Sequence, residues 1–246
     1  MERMLCRLLN SFQTRYCKYK RYELLYKPVI QLDKMIKEVC VENYTDIPNA
    51  IKNGGNRIEL CDNLAEGGTT VSLGVMEAAI NLGKEKNIPV MCIIRPRKGN
   101  FHYNDVELKM MLRDIEIAKE AGAAGIVIGA LTEDCWLDEE MLEVLLAEAE
   151  GLLVTFHMAF DQIPYELQPK AIDWLCAHHV DRILTHGGKG GTKIGDNVDN
   201  LKRLLDYAGE RIIIMPGGGV TSANVEELHQ QLGFKEIHGT KIVDII

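Results

Sequence analysis

The chain has 246 residues, of which 46% are hydrophobic, 6% aromatic and 26% charged, a composition that fits a folded globule and excludes fibrous or disordered classes. With 36 acidic against 28 basic side chains the net charge is −8, which removes nucleic acid as a general partner, and no apolar run reaches the roughly 18 residues that cross a bilayer. Seven scattered cysteines without a CxxC pair predict free thiols in a reducing, cytoplasmic setting rather than disulfides or a structural zinc site.

In chain order, residues 1–34 stand apart. They carry eight Lys or Arg against three acids and four of the eight tyrosines (Tyr16, Tyr19, Tyr22 and Tyr26), and they lack the pattern that follows. They read as a poorly ordered basic extension, with Met35 opening the folded part, 35–246. From Lys37 onward short β-branched or apolar runs alternate with segments of helical period. Strands are predicted at 38–41, 57–61, 90–95, 125–128, 152–156, 182–185, 211–215 and 236–238. Helices are predicted at 45–53, 72–86, 105–120, 138–149, 165–177, 197–208 and 222–231. Gly54, Gly122 and Gly233 mark helix ends, and Thr221 and Ser222 offer N-caps for the last helix. Eight evenly spaced units, with no GxGxxG after the first strand, favour a TIM-like (β/α)8 barrel over an open doubly wound sheet. The eighth strand lacks its helix.

In such a barrel the loops after the strands form the working face. The first two strands repeat Glu-apolar-Cys, as Glu38-Val39-Cys40 and Glu59-Leu60-Cys61, and period-two alternation places each Glu and its Cys on one side of the strand. If Val39, Ile58 and Leu60 face the helices, Glu38, Cys40, Glu59 and Cys61 face the axis. Adjacent strands are about 5 Å apart, so Cys40 and Cys61 can share a soft ion such as Cu(I), or can serve as small buried hydrophobes. Inward carboxylates demand cations, and Arg95 and Arg97, after the third strand, are the expected partners or, alternatively, the holders of a ligand carboxylate or phosphate. After the fifth strand, His157 is a candidate general acid or base and Asp161 its orienting group. Thr185 with Gly187 and Gly188, then Gly217, Gly218 and Gly219, and finally His238 complete the mouth as an expected anion cradle. His178 and His179 read as surface residues.

These blocks, in this order, resemble the CutC copper homeostasis family. The resemblance rests on Glu38-Val39-Cys40, on residues 56–61 with Asn63-Leu64 and Gly67-Gly68-Thr69-Thr70, and on Ile94-Arg95-Pro96-Arg97. It continues through Phe156-His157 with Ala159-Phe160-Asp161, Arg182-Ile183-Leu184-Thr185 and residues 214–220. It implies a TIM-like barrel, a cytoplasmic location and a role in copper handling, with direct Cu(I) binding as its most specific form. Met158 stands where that pattern has Arg, while His186 and Thr240 stand where it has Ser; loss of the arginine puts shared anion chemistry at strand five in question. Lack of a closing helix predicts exposed first and eighth strands and a homo-oligomer as one way to cover them. Three functions compete: copper binding through Cys40 and Cys61; an enzyme acting on a small anionic or phosphorylated metabolite through Arg95, Arg97, His157 and the acids; and, last, a scaffold.

Overall fold

The strands form where apolar residues bury both faces of an extended segment, and a computed structural model describes residues 35–188 and 190–245. The basic extension of residues 1–34 lies outside the described residues. The strands are β1 (Ile36–Glu42), β2 (Arg57–Cys61), β3 (Val90–Ile93), β4 (Gly125–Ile128), β5 (Leu153–Phe156), β6 (Arg182–Thr185), β7 (Ile213–Pro216) and β8 (Glu236–Gly239). All their ladders are parallel, in the order β7-β6-β5-β4-β3-β2-β1-β8. The sheet thus curls almost into a closed TIM-like barrel; among the described residues β7 and β8 lie side by side without a ladder between them.

Among the described residues seven α-helices cover the outside: α1 (Ile47–Lys52), α2 (Leu73–Lys86), α3 (Asp105–Ala121), α4 (Glu139–Glu148), α5 (Gln168–Ala177), α6 (Val198–Ala208) and α7 (Val225–Leu232). Local chemistry sets their ends. Asn104 and Glu107 form a reciprocal capping box at the start of α3, and the Asp138 side chain accepts from the Met141 N–H at the start of α4. Gly122 and Gly233 end α3 and α7 in the left-handed conformation.

The expected caps of α7 require correction. Thr221 and Ser222 do not cap it, because the C-terminal tail draws them into a bridge: Thr221 pairs with Lys241, and the Ser222 N–H donates to the Lys241 carbonyl. The helix begins after Asn224 instead. The same tail packs back over the barrel. No helix follows β8 among the described residues, but Ile242 and Val243 are buried, and Asn49 and Asn53 of the α1 region donate to the carbonyls of Ile245 and Asp244. The first and eighth strands are therefore less bare than helix counting suggests.

Alternation along β1 and β2 splits the core. Val39, Val41, Ile58 and Leu60 join the layer under the helices, whereas Cys40, Cys61, Met91, Ile93, Val127 and Leu153 form an inner cluster. At the base of the barrel that inner side is charged. The Arg57 guanidinium ion-pairs with Glu38 and with Glu236, Arg182 Nε lies 3.0 Å from Glu236 Oε2, and Arg182 Nη1 donates to Thr155 Oγ1 at 3.3 Å. A cavity of ≈ 560 Å³ opens beneath Arg57, Arg182 and Glu236.

Removing one member of such a network leaves buried charge uncompensated, which costs about 3–5 kcal/mol. Arg57→Met should lower unfolding free energy by that amount in urea titrations. A loss below about 1 kcal/mol would show that the network holds little of the barrel together.

Candidate functional site

Register brings the site together. Cys40 on β1 sits opposite Glu59 on β2, and Glu38 sits opposite His238 on β8, so three adjacent strands point their polar side chains at one place. The sulfurs of Cys40 and Cys61 are 3.6 Å apart. Glu59 Oε1 lies 3.2 Å from the Cys61 sulfur and 3.8 Å from that of Cys40. His238 Nδ1 lies 2.9 Å from Glu38 Oε1 and 3.6 Å from Glu59 Oε2. Donor atoms from Cys40, Glu59 and His238 all fall within 4.8 Å of one another. All five side chains are buried.

Burial raises the energy of each charge, and the neighbours decide which charges survive. For Glu38, burial pushes upward but the Arg57 guanidinium and the His238 bond prevail, holding its carboxyl at about 2. Burial pushes Glu59 up to about 8, offset only in part by His238. His238 would be depressed by burial, yet Glu59, Cys40 and Glu38 together raise it well above the ordinary imidazole value. The Cys61 hydrogen bond, with help from His238, brings Cys40 down to about 6, while its coupling to Cys40 and its own burial raise Cys61. These shifts favour the thiolate at Cys40 over one at Cys61, beside an imidazole whose charged form its neighbours favour. With Nδ1 committed to Glu38, the remaining ring nitrogen is the one left for the Cys40 sulfur.

Other residues singled out in the sequence lie elsewhere or act differently. Arg95 and Arg97 do not neutralise Glu38 and Glu59; Arg57 and His238 do. The chain leaves β3 at Ile93, so Arg95 turns outward to the Glu66, Gly68 and Gly99 carbonyls, and Arg97 pairs with Glu107. Asp161 does not orient His157. Its carboxylate accepts from Thr185 Oγ1 at 2.5 Å, the His186 N–H at 2.8 Å and the Gly187 N–H at 3.2 Å. His157 instead caps its own 3-10 turn, Nδ1 accepting from the Ala159 N–H at 3.2 Å, and its Nε2 is buried without a hydrogen-bond partner among the described residues.

Of the glycines expected to cradle an anion, Gly187 and Gly217 spend their N–H groups on protein acceptors, and the Gly217 and Gly218 carbonyls contact His186 Nδ1. Gly188 packs on Asn197, while Gly218 and Gly219 take left-handed φ. Sequence reasoning missed Arg57, Arg182 and Glu236. Their signal was present: Arg57 shares parity with Glu59, and Glu236 with His238.

The comparisons agree with this architecture. A family model described as the CutC family matches residues 35–243. Family protein CutC of Enterococcus faecalis is 59% identical over 209 residues, 85% of this chain and 100% of that protein. The human copper homeostasis protein cutC homolog is 41% identical over 203 residues, 82% of this chain and 72% of that one. A crystal structure assigned as copper homeostasis protein CutC from Streptococcus agalactiae superposes with a TM-score of 0.83 at 47% identity, covering 85% of this chain and 100% of that chain. Deoxyribose phosphate aldolase from Aeropyrum pernix, at 14% identity and a TM-score of 0.62 over 92% of this chain and 93% of its own, shares the barrel fold alone.

His157 generates a pH dependence. Burial first, and the Arg95 charge second, depress it from 6.5 to about 3, so between those values the unfolded chain binds the proton that the folded chain refuses. Stability therefore falls as pH drops through this window. His157→Phe should lose less stability than the wild type between pH 6.5 and about 4 in urea titrations. Parallel acid slopes would contradict the assignment.

Proposed function

The chain belongs to the CutC family, and from that premise we propose that it carries Cu(I) as the cargo of copper homeostasis, bound between Cys40 and Cys61. One observation carries the reading: two buried sulfurs 3.6 Å apart, with surroundings that lower the Cys40 thiol. Soft thiolates favour Cu(I) over the hard cations, and metal binding displaces their protons. The imidazole of His238 and the carboxyl of Glu59 offer further donors.

Charge balance favours a monovalent ion in particular. The sulfur pair already holds one proton in a dry, compensated cluster, so exchanging that proton for Cu(I) leaves the buried charge unchanged. A divalent ion would have to displace a second proton as well, from Glu59 or His238, to leave the buried charge unchanged. Glu38 contributes by fixing the His238 ring rather than by touching the ion. The free state of Cys40, Cys61, Cys92, Cys135 and Cys176 supports work in the reducing cytoplasm, where such thiols persist.

The alternative, a barrel enzyme acting on a small anionic or phosphorylated metabolite, draws its support from the unpartnered Nε2 of His157. Arg95 Nε is likewise buried without a partner among the described residues, whereas Arg95 Nη1 and Nη2 are engaged by carbonyls and Arg97 by Glu107, which counts against the enzyme.

Competition with a Cu(I) chelator tests the copper reading. The Cys40→Ser/Cys61→Ser protein should bind Cu(I) roughly 100-fold or more weakly than the wild type. Equal affinities would remove these sulfurs as the site.

A further inference from the structure

Both sulfurs are shut away from solvent, Cys40 at 5% and Cys61 at 1% exposure, so a cation needs a path to them. The loop between β2 and α2 rests on Cys61 and packs on the inner cluster that holds both sulfurs. Its ends are pinned together: the Asp62 N–H donates to the Thr69 carbonyl at 2.9 Å and the Thr69 N–H to the Asp62 carbonyl at 2.7 Å. The six residues between, 63–68, are tied internally, with the Glu66 and Gly68 N–H groups both donating to the Asn63 carbonyl. They are built to move as one piece.

This piece lies directly on the Cys61 thiol. Leu64 packs against the inner cluster that contains Cys40 and Cys61. Gly67 and Gly68 hold φ of +86° and +87°, and a Cβ added to Gly68 would stand 3.3 Å from the Cys61 sulfur, so the backbone itself rests on that atom. Two side chains hold the piece from outside: the Glu42 carboxylate of β1 accepts from the Leu64 N–H at 2.8 Å, and Arg95 grips the tip. Arg95 Nη1 donates to the Glu66 carbonyl at 3.0 Å and to the Gly68 carbonyl at 2.7 Å, with Nη2 anchored on the Gly99 carbonyl at 3.0 Å. Arg95 is itself fixed, its N–H donating to Thr70 Oγ1 at 2.9 Å and its guanidinium carbon 5.1 Å from the centroid of the Phe101 ring. An exposed pair, Lys98 Nζ to Glu66 Oε1 at 3.1 Å, adds little.

We propose that residues 63–68 are a gate over the Cys40–Cys61 thiol pair and that Arg95 is its latch. The latch bonds neutral carbonyls rather than a carboxylate. Water replaces such bonds readily once the tip lifts, so the tip can open while the Asp62–Thr69 base stays paired. Opening also releases the exposed Leu64–Glu42 bond, and it uncovers Leu64, two glycines and the Cys61 sulfur without breaking any strand. The identity of the cargo rests on the copper reading, whereas the gate itself concerns only access to the thiols.

The test uses metal-free full-length protein and N-ethylmaleimide, with the modification of each cysteine followed by peptide mass spectrometry. Cys92, buried under the helices at 0% exposure, reports global opening. In Arg95→Lys and in Gly68→Ala, which leaves the charge untouched, modification of Cys40 and Cys61 should run roughly tenfold or more faster than in the wild type while Cys92 stays protected. Wild-type rates in both variants would overturn the gate, and so would a parallel rise at Cys92, since access would then come by unfolding. Release of Cu(I) to excess chelator should accelerate in the same two variants. A wild-type protein that takes up no Cu(I) would sink the cargo reading but leave the modification rates to decide the gate.

Discussion

Glu38 gives one carboxylate oxygen to Arg57 and the other to His238, and the interior of the barrel depends on that division. A carboxylate with no exposure survives only if its charge is answered on the spot. Arg57 answers from the base, where it also meets Glu236, itself paired with Arg182. His238 answers from the mouth side and in doing so is held as an imidazolium beside the Cys40 sulfur. Positive and negative groups alternate from the floor of the barrel to its thiols.

The same pairs do structural work at the seam. The strand ladder stops at β7 on one side and β8 on the other, yet Arg182 on β6 reaches across to Glu236 on β8, and Arg57 on β2 contacts both Glu236 and the Met215 sulfur of β7. Side chains thus tie together what the backbone leaves open. Because β8 carries both Glu236 and His238, the position of the imidazole is set by the pairs that close the barrel. Fold and site share one network. The consequence is a dry, rigid pair of sulfurs that exchanges nothing with solvent unless something above it moves.

Much of this was legible in the sequence, and the failures have physical causes. The Glu-apolar-Cys repeat put Glu38, Cys40, Glu59 and Cys61 on one side because strand alternation is strict, and the register then set them against His238. Alternation ends where the strand ends. Arg95 lies two residues beyond the last residue of β3, so parity says nothing about its direction, and it turned to loop carbonyls. Arg57 obeyed the same parity as Glu59 but sits at the opposite end of β2 from the mouth, where attention to the C-terminal ends of strands does not look. His157 and Asp161 occupy a 3-10 turn, and the spacing of a turn does not reveal which backbone N–H groups its side chains will cap.

The central claim is that the Cys40–Cys61 sulfurs, poised by His238 and ultimately by Glu38, form the copper site. X-ray absorption at the copper edge of the Cu(I)-loaded protein addresses it most directly. Sulfur should dominate the shell around the ion and should vanish from it when both cysteines are replaced by serine. A shell made only of nitrogen and oxygen in the unsubstituted protein would contradict the account.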